Sequence, residues 1–361
     1  MSLIFLGTIA LVLFGLSYFP FLVETWYSTL WYPKLGQIMR QITAKLSFSL
    51  GDFGYVLLAI YLIVNIIRFF IQVAGGQFSK DWLILAGYKT LRFSLKLYIF
   101  FKLLWGLNYD REGIASQLYL KPKSYTVEDV SNLTNQLIDS LNANRKLIPD
   151  SILPLPSIEK IKAEAIDNYA KVSKDYAFLI YKNQSVKASL FSEVGDYVGF
   201  TGYFNPFSGE AQLRTDIPRV LIPYVCSHEM AHQLGYASES EANFVGYLAA
   251  SKSANAYTRY SMYLELFSYA QSEEIFQYGR SKDFKAFDSI LKQNRIRLDT
   301  LVKKERKEIR EFFRKRRKSV APAFNNLYDQ YLKLNAQEKG IESYDQVIGW
   351  LIAYKKKYGK I

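Results

Sequence analysis

From Leu3 to Val23 the chain runs without one charged side chain, and Glu24 is the first acid or base. A helix of that length crosses a bilayer. A cleaved signal peptide is the competing explanation. The start lacks basic residues and no small-x-small cleavage site follows, so an uncleaved span is the better reading. Trp26, Trp31 and Tyr32 come next and suit an interfacial aromatic belt. A second apolar run, Phe53 to Ile67, meets Arg68 and extends through Val73, with Asn65 and Arg68 facing protein or headgroups. A third, Leu91 to Leu107, is interrupted by Lys96 and Lys102. Those two lysines could snorkel to opposite surfaces, and a surface-lying amphipathic helix is the alternative. The expectation is a membrane module over 1–109, with two or three transmembrane helices at about 3–23, 53–73 and 91–107. A soluble domain over 110–361 follows it.

Loop charge sets the expected orientation. Arg68, Lys80, Lys89, Arg92 and Lys96 outnumber Lys34, Arg40 and Lys45 of the segment from Glu24 to Leu50. The richer segment is the cytoplasmic candidate. Three spans then put everything after about Asp110 outside the cytoplasmic membrane. Two spans would turn that domain to the cytoplasm. The first is the expectation carried forward: an integral protein of the bacterial cytoplasmic membrane with an extracytoplasmic domain.

After Tyr125 the pattern is helical. Thr126 can cap a helix to about Asn142, and Ser157 another to about Ser173. Between Val186 and Arg214 the character changes, with β-branched and aromatic residues punctuated by glycine. Short strands are expected near 187–191, 197–203 and 210–215, with a turn at Asn205–Gly209. Helical patterning resumes at Pro218. The fold class is therefore α+β: transmembrane helices, then a mostly helical domain with a small β-sheet.

The chain has only two histidines, and they stand four residues apart in His228-Glu229-Met230-Ala231-His232. Pro223 fits the first turn of a helix and Gly235 the left-handed position just past its end. On that helix both imidazoles share one face and can reach one ion. Glu229 projects about 100° around the axis, beside the metal rather than as its ligand. There it can take a proton from water and hand it to a leaving amine. This spacing is the zinc metallopeptidase motif.

A catalytic zinc site needs a third protein ligand and an open position. With no further histidine the ligand is a carboxylate, and Glu239 and Glu241 are nearest. Ser238 and Glu241 have capping-box spacing, which would occupy Glu241 locally and leave Glu239 free. Cys226, the only cysteine, falls about 200° from His228 and faces the core; with one thiol, disulfides and cysteine-ligated zinc ribbons are excluded. Tyr203, Arg214, Tyr236 and Tyr344 are candidates for steadying an oxyanion, and Glu210 for a substrate contact. In a chain with 28 tyrosines, packing is the commoner role for the first four, and a solvated strand residue is the commoner reading of Glu210.

The sequence Glu239-Ser240-Glu241-Ala242-Asn243 resembles the second-helix motif of gluzincin peptidases. That resemblance implies Glu239 as the ligand and Asn243 as a partner that steadies a histidine. Two departures stand out. His232 and Glu239 are closer than in thermolysin-like enzymes. Gly235 sits where metzincins have their glycine, with Ser238 in place of their third histidine. A closer resemblance is to a family of bacterial membrane proteins catalogued as domain of unknown function thirty-eight-ten. It is carried by Trp105–Tyr109, Gly202–Ala211, the HExxH helix into Asn243, Tyr331–Lys333 and Ser343–Tyr354. It implies membrane spans plus a zincin-like domain and brings no substrate.

Net charge is +13, and Lys303 to Lys318 hold much of it. Glu305, Glu308 and Glu311 are spaced to pair within that run, so it reads as a solvated helix face, with anionic lipid second. No nucleic-acid partner is expected. The functional expectation is a membrane-anchored zinc metallopeptidase cutting a protein or peptide near the membrane. The alternatives are a non-catalytic membrane protein with a zinc-stabilised partner-binding domain, or an amidase acting on a cell-wall amide.

Overall fold

The computed structural model describes residues 2–76, 79–120, 125–149, 156–281, 284–316, 330, 347–359 and 361. Helix α1 (Leu3–Leu16) is capped by Ser2, whose hydroxyl accepts from Phe5 N at 3.3 Å. Its 14 residues rise only about 21 Å, short of the roughly 30 Å hydrocarbon core. The apolar run from Leu3 to Val23 is thus not one straight helix. Pro20 has no N–H to continue the ladder. The chain restarts there as α2 (Pro20–Thr43), bent 99° from α1.

The part of α2 from Val23 to Trp31 is π-helical, and Thr29 Oγ1 donates back to Glu24 O at 2.9 Å. One face of α2 is buried: Val23, Glu24, Ser28, Tyr32, Gly36, Arg40 and Thr43. The other exposes Phe21, Trp26, Leu30, Trp31, Ile38 and Ile42. The helix therefore has a protein side and an apolar outer side.

Helix α3 (Leu50–Ala74) is long and apolar enough to cross a membrane, with a mean hydropathy of 2.3 over an 18-residue stretch. Helix α4 (Lys80–Leu104) runs back beside it. Trp82 Nε1 donates to Gln72 Oε1 at 3.0 Å, and Tyr61 faces Phe93 with ring centroids 6.0 Å apart. Helix α4 begins eleven residues before the expected third run, and Lys80, Asp81, Lys89, Arg92, Lys96 and Lys102 keep it from matching α3 in apolarity. The described residues hold one membrane-length apolar helix, or two if the bent pair α1–α2 counts as a broken span, where two or three were expected.

After a 3-10 turn (Gly106–Asp110) and the short α5 (Gly113–Gln117), the helical core begins. Helix α6 (Val127–Lys146) opens with a capping box between Thr126 and Asp129, and α7 (Ile158–Val172) is capped by Ser157. Three strands follow: β1 (Val186–Ala188), β2 (Gly202–Asn205) and β3 (Glu210–Leu213), with the short α8 (Gly195–Val198) after β1. The third expected strand is in place. The first is shorter, and the second starts only at Gly202, with Tyr197 and Val198 taken by α8. The sheet order is β1-β3-β2. β1 runs parallel to β3 with Val186 opposite Ala211, and β2 antiparallel with Gly202 opposite Leu213.

Helices α9 (Ile222–Gln233), α10 (Glu239–Ala250), α11 (Ala256–Ser281), α12 (Phe284–Arg297), α13 (Thr300–Arg316) and α14 (Val347–Tyr358) complete the described elements. Val130, Leu137, Ile222, Met230, Phe244, Phe267, Val302 and Ile348 are buried in one core that joins them. The architecture is mostly helical α+β with a small three-stranded sheet. The basic run is only partly solvated: Arg306 stacks on Phe267 at 4.5 Å, and Arg316 pairs with Asp196 and Asp216. Its last two residues, Arg317 and Lys318, lie outside the described residues, as do Tyr331–Lys333 and Ser343–Tyr344.

Candidate metal centre

Helix α9 starts with proline in its first turn and stops at Gly235, whose φ of +87° suits glycine. His228 and His232 share one face, their ring centroids 4.8 Å apart. Across from them, at the start of α10, Glu239 Oε2 lies 3.2 Å from His228 Nε2 and 3.7 Å from His232 Nε2. The ligand-type atoms of His228, Glu229 and His232 all fall within 4.8 Å of one another. Two carboxylates thus approach the imidazole pair. Glu239 is the one that touches both ring nitrogens.

Burial pushes the Glu229 carboxyl up to about 7, with Glu239 adding to the rise and the two histidines opposing it. For His232, burial acts downward, but the hydrogen bond and charge of Glu239 outweigh it and raise the imidazole to about 9. Burial also opposes ionisation of Glu239, yet the two histidines hold it well below the usual carboxylate range. The field of the cluster therefore favours positive charge between these groups.

The supporting contacts are specific. His232 Nδ1 sits 2.7 Å from the Tyr236 carbonyl, which can only accept, so Nδ1 carries a proton and Nε2 is the nitrogen turned toward Glu239. Glu229 Oε2, His228 Nδ1 and Asn243 Nδ2 have no hydrogen-bond partner among the described residues. A side chain at Gly202 would bring its Cβ to 2.6 Å from Glu229 Oε1, so only glycine lets β2 pass this close to the carboxylate. Trp105, at the end of α4, donates its Nε1 to His232 O at 3.3 Å and packs edge-on against that imidazole.

These groups line a cavity of about 500 Å³. Of the residues singled out from sequence, His228, Glu229, His232, Glu239, Asn243 and Tyr203 reach it. Glu241 does not. It turns to the other side of α10 and accepts from Ile114 N at 2.8 Å. Ser238 hydrogen-bonds Ser240 instead, so the expected Ser238–Glu241 capping box does not form. Glu210 is a buried cap: it accepts from Gly51 N at 2.6 Å and Leu50 N at 3.2 Å, at the start of α3. Arg214 is held by Asp196 and Asp216, away from the cavity. The Tyr236 ring lies under Arg111 with its hydroxyl on Gln117. Tyr203 has its hydroxyl on Asp52 Oδ1 at 2.6 Å. Cys226 faces the core as expected, and burial raises its thiol to about 12.

Sequence reasoning missed part of the wall. Glu265 and Tyr269, one turn apart on α11, line the cavity with Tyr224, Phe204, Tyr109 and Trp105. Burial raises the Glu265 carboxyl, with the neighbouring Tyr269 hydroxyl opposing the rise. An acid and a tyrosine at i and i+4 were the only signal, and such pairs are common on long helices.

Fold and site together define a mostly helical α+β protein with a membrane-length helix and a buried cluster of two histidines and two glutamates. The chain belongs to the family described as "Protein of unknown function (DUF3810)", whose model matches residues 27–352. That match takes in α3, α4 and the whole cluster. No curated protein and no solved structure matches the chain.

Proposed function

We propose that this chain is a membrane-anchored zinc metallopeptidase of the zincin type, acting on a protein or peptide near the membrane. The observation that carries the reading is the convergence of His228 Nε2, His232 Nε2 and Glu239 Oε2, with Glu229 beside them, its Oε2 without a hydrogen-bond partner among the described residues. Two neutral imidazoles and one carboxylate are a usual donor set for catalytic zinc. The cluster fits the ion, with His228, His232 and Glu239 to hold it. Bound there, zinc would supply Lewis acidity, polarising a carbonyl and making water easier to deprotonate.

The remaining steps belong to side chains. Glu229 takes the proton from the attacking water on its free Oε2 and returns it to the leaving amine. Its burial raises its basicity toward neutrality, which suits both transfers. Strand β2 lies at the sheet edge with Gly202, Tyr203 and Phe204 along the cavity, where an extended peptide can add as a further strand. Trp105 and the Tyr236 carbonyl fix the orientation of His232.

In this reading the domain is extracytoplasmic. Arg68, Lys80 and Lys89 flank the turn between α3 and α4, and the positive-inside tendency assigns that turn to the cytoplasm. A topology reporter inserted at Gly76 should then act only as a cytoplasmic one; the opposite result reverses the orientation.

The direct test is metal analysis and turnover of the full chain, with His228→Ala and Glu229→Gln. About one zinc per chain is expected in wild type and Glu229→Gln, and none in His228→Ala. Turnover should vanish in both variants. A wild type that takes no zinc on reconstitution overturns the reading. Zinc in Glu229→Gln with undiminished turnover removes the general base.

A further inference from the structure

The segment between β1 and the turn before β3 has two faces. Val198, Gly199, Phe200 and Pro206 line the cavity. Leu190, Val194, Tyr197 and Phe207 face out, 62%, 44%, 40% and 37% exposed. Of its two acids, Asp196 is held inward by Arg214 and Arg316, and only Glu193 is exposed. An apolar outer face on a cavity rim needs a cover.

Its position relative to α3 says what the cover is. Asp52, buried in the first turn of α3, accepts from Leu190 N at 2.8 Å and from the Tyr203 hydroxyl. One turn further along, Tyr55 packs edge-on against Phe207 with ring centroids 6.4 Å apart. From Phe53 to Ala74 the helix rises about 33 Å, the thickness of a hydrocarbon core with little to spare. With α3 across the bilayer, Asp52 marks the upper edge of that core. Leu190 and Phe207 then sit level with it, continuous with the exposed Phe53 and Leu57.

Helix α2 meets the same level from the other side. Its Tyr27 hydroxyl donates to Leu103 O near the end of α4, and it is bent 99° from α1. There Trp26 and Trp31 are exposed, residues that favour the headgroup region.

We propose that the rim segment 190–207 docks on the lipid surface, so that the cavity mouth opens at the bilayer interface beside the outer end of α3. Charge, depth and apolar face agree on lipid as the occupant. On the hydrolase reading, the chains that reach this mouth are those held at the same interface. The docking itself does not depend on turnover, so it stands or fails separately from that reading.

The test uses the full chain in nanodiscs of phosphatidylethanolamine and phosphatidylglycerol. Single cysteines at Leu190, Val194 and Tyr197, and a control at the exposed Lys174, carry an environment-sensitive fluorophore. Cys226 is buried and does not compete. Lipids with a nitroxide high on the acyl chain should quench the three rim positions at least twofold more than Lys174. Aqueous iodide should quench them less than Lys174. Iodide quenching without nitroxide quenching overturns the proposal. So does protection from both, which would mean that a second copy or another protein covers the rim.

Discussion

Glu239 and Glu241 stand two residues apart on α10, and a helix turns such a pair about 200° from one another. One therefore meets the imidazoles and the other the backbone of α5. The difference can be measured. Glu239→Ala should weaken zinc binding by more than about 100-fold, since even outer partners of a ligand are worth 10–100-fold. Glu241→Ala should leave affinity unchanged but strand the buried Ile114 N–H, costing about 1–3 kcal/mol of stability. Chelator competition and thermal unfolding separate the two; equal losses of affinity would refute the assignment. The histidine pair, the Gly235 stop and the spacing to Asn243 made this much legible in sequence. The partner of Glu241 was not, because Ile114 is 127 residues away. Nor was a histidine contact by Asn243 found: its amide nitrogen has no partner among the described residues.

Elements were legible where their signals were local. Thr126 and Ser157 cap the helices expected of them, because a cap is decided within three residues. The break at Pro20 was hidden by hydropathy, which stays high through the bend although the helical ladder cannot. Glu210 misled for the opposite reason. On β3 it reads as a strand residue open to solvent, but its carboxylate closes the N-terminus of α3, 159 residues earlier than itself. An anion there meets the helix dipole as well as two free N–H groups. Glu210→Ala should lower the stability of the full chain by about 2–3 kcal/mol. Thermal unfolding in detergent checks this, and a loss under about 0.5 kcal/mol would show that water replaces the carboxylate freely.

On the scale of the whole molecule, the histidine–glutamate cluster is not a property of residues 110–361 alone. The last turn of α9 leaves carbonyls short of helical N–H partners: Gly235 N reaches His232 O at 2.9 Å, and Gln233 O is left to side chains. Four side chains from before residue 112 supply the donors: Trp105 to His232 O, Tyr32 at 3.3 Å and Arg40 at 2.8 Å to Gln233 O, and Arg111 at 3.1 Å to Gly235 O. Two of the four are cations at a helix C-terminus, where the dipole favours them. Glu24, on the π-helical stretch, in turn fixes Arg111 at 2.7 Å. A division of the chain at residue 110 describes its order in sequence. It does not describe what shapes the histidine-bearing helix. Removal of the first 109 residues should therefore weaken zinc binding by about 10-fold or more, although no zinc ligand is lost. In the full chain, Arg40→Ala should cost about 2 kcal/mol by removing the charged donor and leaving Gln233 O to Tyr32 alone, with partial rescue by Arg40→Lys, which keeps the charge. Zinc titration of the three proteins against the intact chain decides the matter. Equal affinity in the isolated domain would mean that α9 closes its own end, and that the membrane helices serve only as a tether.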